Sequence, residues 1–309
     1  MELHQLEILR ELGSLGSLTA VADTLRVTPS AVSQQLAALQ REFQVPLTRR
    51  EGRTLALTDA GRALAHAGAD VIDAMAAARG AVAAFERSES GRVRLCGFHS
   101  AAQALFGPLI AELRDRDAGP DLRLSDEDVA QDDFPALTAH YDLVLAHRLK
   151  HSAPWPSTGV EVIPLLQEPL DIALPVDHPL TAHAELSPLH LAREPWVASR
   201  AGYSPDDLLG AIAALADTPL NVVHRVNDYA SAASIIAAGA AIGLVPRYTV
   251  GSAHDGLVLR PLIGLNATRN VDLLTRPENL HRRSVQTVVA ALRATIAQLV
   301  QLGDERQAR

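Results

Sequence analysis

The stretch Leu18–Leu39, LTAVADTLRVTPSAVSQQLAAL, constrains the fold of this chain more than any other part of it. Two short apolar-periodic segments are separated by Arg26-Val27-Thr28, and the second opens on Thr28-Pro29-Ser30. Threonine is a good N-cap, and Pro29 suits the first helical position, where no backbone N–H is needed. From there Val32, Leu36, Leu39 and Phe43 recur at steps of four, three and four, which marks one buried helix face. Ser30, Ser33, Gln34 and Gln40 are left facing outward as uncharged hydrogen-bonding groups of modest reach. A short helix, a tight turn and a second helix with a polar, non-acidic outer face make a helix-turn-helix over residues 18–37. Such a face suits base edges in a major groove. Helix pairs with solvated polar faces are common too, so the flanking sequence must decide.

Phe43-Gln44-Val45-Pro46 ends the helix, and Glu51-Gly52 then forms a turn flanked by arginines and by the alternating Leu55 and Leu57. This pattern predicts a small β-hairpin beside the helix. Arg49, Arg50 and Arg53 on that hairpin, with Thr54 next to them, can reach phosphates or a minor groove. The net charge of −8 argues against a nucleic-acid partner only when summed over the whole chain. Between Arg26 and Thr54 five arginines (26, 41, 49, 50, 53) oppose Glu42 and Glu51, a local balance of +3. One copy with so few arginines neutralises few phosphates, so tight binding needs two or more copies at once.

Residues 59–87 supply the means of joining them. The segment lacks proline and is rich in alanine, with Thr58 or Asp59 to cap its start and Gly91 just past its end. Val71, Met75, Ala78, Val82 and Phe85 step by four, three, four and three, with Leu64 one heptad before Val71. That is a coiled-coil seam, which buries itself against a partner helix. A core helix packed within one chain is the alternative. Pairing about a two-fold axis predicts an inverted-repeat site in double-stranded DNA.

From Gly91 onward short apolar strands alternate with helical stretches. Arg92–Phe98, Leu122–Leu124 and Asp142–Ala146 read as strands, with a helix at Ser100–Asp117. A second such region follows, with strands at Leu170–Leu174, Trp196–Ala198, Val222–Val226 and Ile242–Val245. Its helices read near Pro205–Ala216 and at Tyr229–Ala238, before Val271–Leu274 and Arg283–Leu302 return to the first region. The alternation implies two α/β lobes with parallel sheets, and chain crossings near Glu161–Glu168 and Val258–Asn266. In such sheets ligands sit beyond the carboxyl ends of strands. The rule selects His99, Ser100, Asp128, His147, Ser199, Arg200, Asn227 and Tyr229 as effector contacts, and Asp228 as a helix cap. Asp128 in the cleft would favour an amine, Arg200 a carboxylate, and the sequence leaves both open. Asp126-Glu127-Asp128 and Asp132-Asp133 fit solvated loops better than a metal site, so neither metal nor cofactor is expected.

No GxSxG, phosphate-binding glycine loop, HExxH or paired-cysteine motif occurs, which disfavours an enzyme built on the α/β lobes. The single cysteine, Cys96, lies in a strand pattern and reads as a packed thiol. No uninterrupted apolar run of membrane-spanning length and no basic-then-apolar leader is visible, so the expected address is cytoplasmic, with no membrane partner.

Residues 1–62 resemble the winged helix-turn-helix of the LysR-type transcriptional regulators. The resemblance is carried by MELHQLEILRELGSLGSLTAVADTL, by VTPSAVSQQLAALQREFQVPLTRR, and by the hairpin with LTDAGRAL. EPLDIALPVDHPL, LSPLHLAREPWVAS and NDYASAASIIAAGAAIGLVP extend it through the C-terminal two thirds in the same order. The resemblance implies a mixed α and α/β fold: a winged helix-turn-helix at 1–58, a linker helix at 59–90, and a two-lobed periplasmic-binding-protein-like (type 2) domain at 91–309. Lobe I would take 91–161 and 266–302, lobe II 162–265. It further implies a bacterial, sequence-specific DNA-binding regulator modulated by a small-molecule effector of unknown identity held between the lobes. A homodimer, with a homotetramer as a further assembly, follows from it, and it leaves room for RNA polymerase as another partner. On that pattern Ser30, Ser33 and Gln34 read bases, while Thr28, Pro29, Arg49, Arg50, Arg53 and Thr54 hold the backbone. The family often has a basic residue where this chain has Gln34, and glutamine favours adenine over guanine.

Overall fold

The computed structural model describes residues 1–51, 54–83, 89–114, 119–127, 129–156, 159–200, 205–250 and 256–307. An N-terminal head is built from α1 (Leu3–Leu15), α2 (Leu18–Leu25), α3 (Pro29–Gln40) and an antiparallel hairpin of β1 (Thr48–Glu51) and β2 (Thr54–Leu57). Local chemistry sets each helix start. Ser17 Oγ accepts from the Ala20 N–H to begin α2, and Thr28 Oγ1 accepts from the Ala31 N–H at 3.2 Å to begin α3 with Pro29 in its first turn. Between them Arg26 adopts φ 56°, and its N–H closes α2 on the Ala22 and Asp23 carbonyls. Leu9, Val21, Val32 and Leu39 are fully buried in the head's core.

The linker helix α4 (Asp59–Ala83) starts where Thr58 Oγ1 accepts from the Gly61 N–H. A Cβ on Gly61 would stand 2.0 Å from the Leu47 carbonyl oxygen, so only glycine lets α4 lie this close to the hairpin. Leu64 is half-buried against the head's own core rather than standing free along the seam, because the first turns of α4 pack on α1. Farther along, Val71, Met75 and Val82 are 47%, 42% and 64% exposed, and Ala78 is exposed beside them. Phe85, the last seam position, lies outside the described residues.

The remaining chain forms two lobes. In order it runs β3 (Arg92–Gly97), α5 (His99–Arg114), β4 (Asp121–Asp126), α6 (Phe134–Leu137), β5 (Leu143–Leu149) and β6 (Glu161–Pro175). It continues through α7 (Pro188–Leu191), β7 (Pro195–Ala198), α8 (Asp206–Leu215), β8 (Asn221–Arg225), α9 (Tyr229–Ala237) and β9 (Gly243–Pro246). β10 (Leu257–Arg260), β11 (Thr268–Thr275) and α10 (Arg283–Gln307) complete it. Strand order in the main sheet is β10-β6-β11-β5-β3-β4, with β9 also on β6, and β7 pairs β8 separately.

Among the strands of the described residues, β4-β3-β5 and β7-β8 pair parallel. The expectation of wholly parallel sheets is corrected by β6 and β11, which pair antiparallel with each other and with their other neighbours. Both are strands that carry the chain between lobes, and two passages in opposite senses must run antiparallel. Glu161–Pro169 of β6 pairs with β11, whereas Leu170–Pro175 pairs with β9 and β10, so the first crossing falls inside one continuous strand.

Lobe I packs Val93, Leu105, Leu145, Val288 and Leu292 into one core. Although α10 is long and apolar enough by composition to cross a membrane, Val285, Val288 and Leu292 on it are fully buried against the sheet. Trp196 anchors a separate core in lobe II. Cys96 is fully buried in β3, and burial, aided by the Glu127 charge, pushes its thiol up to about 12, so it stays protonated and unreactive.

The head does not hang free of lobe I. Buried Glu11 takes both Nη atoms of Arg276, with Nη2 donating to Oε2 at 2.8 Å. Arg10 Nη1 donates to Glu278 at 2.7 Å, and Asp73 of α4 meets His281 at 2.9 Å.

Candidate nucleic-acid interface and interlobe cleft

On the head, Thr28, Pro29, Ser30, Ser33 and Gln34 are all exposed. Ser30, Ser33 and Gln34 lie on the side of α3 turned away from Val32, Leu36 and Leu39, as a helix with one apolar face requires, and Thr28 and Pro29 stand at its N-terminus. The hairpin stands next to that side. Ser33, Arg50 and Thr54 line one groove with Leu18 and Gln40, bounded by α2, α3 and the two strands. Arg49 is exposed but engaged by Glu51 at 2.6 Å. Arg50 is exposed and has no ion-pair partner among the described residues, which leaves it the readier cation. Arg53 lies outside the described residues. Helix and hairpin thus offer hydrogen-bonding groups in the middle and charge at the flank.

The cleft between the lobes is organised around a residue that the strand-end rule did not select. Arg269, on β11, is 1% exposed and pairs with Glu168 of β6, itself 0% exposed, at 2.7 Å. Its Nη2 also donates to Ser100 Oγ at 3.1 Å and to Thr249 Oγ1 at 2.6 Å. The guanidinium carbon sits 5.0 Å from the centre of the Phe98 ring and 5.8 Å from that of Tyr229. Glu168 is further held by the Tyr248 and Thr249 N–H groups at 2.8 and 2.7 Å. Lobe I (Phe98, Ser100), lobe II (Tyr229, Thr249) and the crossing strands therefore meet on one buried ion pair.

Three sequence-selected residues, Ser100, His147 and Tyr229, converge here. His147 packs edge-on against Phe98 and Phe134, with ring centres 4.5 and 5.5 Å apart. Its Nδ1 is buried without a hydrogen-bond partner among the described residues. Burial first, and the Arg269 charge second, lower its pKa to about 3, so the ring is neutral at physiological pH. His99 sits farther out and meets Asp126 at 3.2 Å. Asn227 Oδ1 accepts from the Arg200 N–H at 2.9 Å, and Ser199, Asn227 and Tyr229 line a small cavity in lobe II. Asp228 caps α9 by accepting from the Ser231 N–H at 2.7 Å, and it also takes Gln103 Nε2 of lobe I at 3.4 Å. Asp128 lies outside the described residues.

Residues 3–62 match the family described as bacterial regulatory helix-turn-helix protein, lysR family, and residues 86–297 match the LysR substrate binding domain. The chain belongs to the LysR family. Among curated relatives, the uncharacterized HTH-type transcriptional regulator YybE of Bacillus subtilis is 24% identical over 80% of this chain and 82% of its own. CbbR of Xanthobacter flavus is 25% identical over 81% and 74%. Among solved structures, a full-length OxyR variant from Pseudomonas aeruginosa shares the fold with a TM-score of 0.68 at 19% identity, covering 95% of each chain. Full-length CbnR complexed with its target DNA gives 0.53 at 19% identity, covering 96% of this chain and all of the other.

As a LysR-family protein the chain is a DNA-binding transcriptional regulator, with a helix-turn-helix head and a two-lobed domain that binds a small-molecule effector. Arg269 falls outside the residues that the strand-end rule selects because of how the interlobe strands run. The strand-end rule looks at residues that follow a strand, and Arg269 lies near the start of β11, which enters the cleft from the other direction. The available signal was an arginine just ahead of Val271-Asp272-Leu273-Leu274, in a stretch that reads as a strand.

Proposed function

We propose that two copies of this LysR-family regulator, paired along the exposed stripe of α4, place two heads on an inverted repeat, and that an effector held near Arg269 alters how those heads are presented. Ser30, Ser33 and Gln34 read base edges, with Gln34 directed at adenine, while Thr28, Arg49, Arg50, Arg53 and Thr54 hold phosphates around Pro29. The observation that carries this reading is the single groove that Ser33 shares with Arg50 and Thr54. His99, Ser100, His147, Ser199, Arg200, Asn227 and Tyr229 surround the effector, and no cofactor or metal takes part. An effector shifts the regulator only by its different affinity for the two arrangements. Such a protein works in the cytoplasm on promoter DNA, without turnover of its ligand.

Anisotropy titrations on a promoter duplex test the DNA assignments. Arg50→Ala weakens binding to all sequences alike and lowers the salt slope by about one. Gln34→Ala relaxes preference at one base pair, with a loss of about 1–3 kcal/mol of discrimination there. Wild-type titrations from both variants would remove these roles.

A further inference from the structure

Where the head, α4 and lobe I meet, a cavity of about 620 Å³ opens, within the size range of sites for small organic ligands. It is separate from the interlobe cleft. Leu57, Ala65 and Ala69 line it from the head and α4, and Pro135, Pro154 and Trp155 line it from lobe I. Trp155 is 9% exposed, and its ring is pinned because Nε1 donates to Asp272 at 2.7 Å. The charged lining is lopsided: Arg10, Arg62 and Arg276 face Asp132 alone among the described acids, with His66 beside them. Arg10 and Arg276 are neutralised by Glu278 and Glu11, which lie outside the lining. Arg62 is different. It is 56% exposed and among the described residues holds only the fully solvated Asp59, besides donating to the Leu57 carbonyl at 2.9 Å. An exposed pair of that kind contributes little and is readily exchanged for a better anion.

From this geometry we propose a second ligand site at the junction, taking a planar aromatic anion whose rings lie against Trp155 and the prolines and whose carboxylate or sulfonate meets Arg62. Arg62, Ala65, His66 and Ala69 lie on one side of α4, while Val71, Met75, Ala78 and Val82 lie on the other at about 3.6 residues per turn. Dimer formation through the seam therefore leaves the cavity open. An occupant touches the head, the linker helix and lobe I together, so its binding bears directly on how the head is held.

Anilinonaphthalene sulfonate, titrated into the full-length protein by fluorescence and calorimetry, is the probe. One saturable site per chain is expected. Ala136 is exposed at the cavity's edge, so Ala136→Phe fills the space without disturbing a core. Both Ala136→Phe and Arg62→Ala raise the dissociation constant about tenfold or more, as loss of one charge-assisted contact does for the second. Uncharged phenylnaphthylamine, with the same rings, binds wild type at least about tenfold more weakly. Saturable binding that neither variant weakens, equal binding of the neutral probe, or no saturable binding overturns the proposal. Should Ala136→Phe fail to fold, Arg62→Ala and the neutral probe decide it alone.

Discussion

Arg269 and Glu168 show what a buried charge requires. Removing either partner strands the other in a low-dielectric interior, whereas replacing both by apolar or neutral groups is far less costly. Arg269→Ala should therefore lower stability by on the order of 3 kcal/mol in chemical denaturation. Arg269→Met combined with Glu168→Gln should recover most of that, and an unchanged midpoint for Arg269→Ala would contradict the account. His147 makes a second, pH-dependent prediction. Its folded pKa of about 3 lies below the unfolded value of 6.5, so the unfolded chain binds the proton first. The stability it confers is complete above pH 6.5 and is lost as pH falls toward 3. Between pH 7 and 5 the wild type should lose about 2 kcal/mol that His147→Phe does not. Parallel profiles for the two proteins would mean that the imidazole takes up its proton as readily in the fold as in the unfolded chain, and would contradict the burial argument. At this scale the sequence disclosed the neighbours but not the centre. Ser100, His147 and Tyr229 follow strands, whereas Arg269 and Glu168 sit within strands 101 positions apart and are joined only by the fold.

The elements were more legible. Apolar periodicity and caps located α3 and most of α4, because Thr28 and Thr58 perform the capping their sequence positions suggested. What periodicity could not supply was direction. An apolar strand reads the same whether it runs parallel or antiparallel, so the antiparallel β6 and β11 emerged only from their pairing. Nor could it apportion α4 among its neighbours. A Cβ on Gly80 would lie 2.8 Å from the His281 carbonyl oxygen, so one side of this helix is closed on lobe I. The stripe of Val71, Met75 and Val82 remains exposed on another side. Charge placed in a coiled-coil seam opposes itself across the two-fold axis. Met75→Glu should thus convert dimers to monomers in light scattering while the helical circular dichroism of the chain is retained. A variant that stays dimeric would move the dimer interface elsewhere.

At the scale of the molecule, the head is tied to lobe I by Glu11 and Arg276, residues 265 positions apart whose pairing no local pattern announces. Phe134 touches His147 on one side, and Trp155 at 6.2 Å between ring centres on the other. The interlobe cleft and the head–lobe junction are therefore joined by one aromatic cluster. With two chains paired along α4 as proposed, such a regulator would present its heads together and in a defined orientation. Anisotropy of the full-length protein on duplexes from its own upstream region, carrying either two inverted half-sites or one, tests that most directly. Two chains are expected per duplex, with an affinity for the double site at least about a hundredfold higher than for the single. Equal affinities, with one chain bound to each, would contradict it.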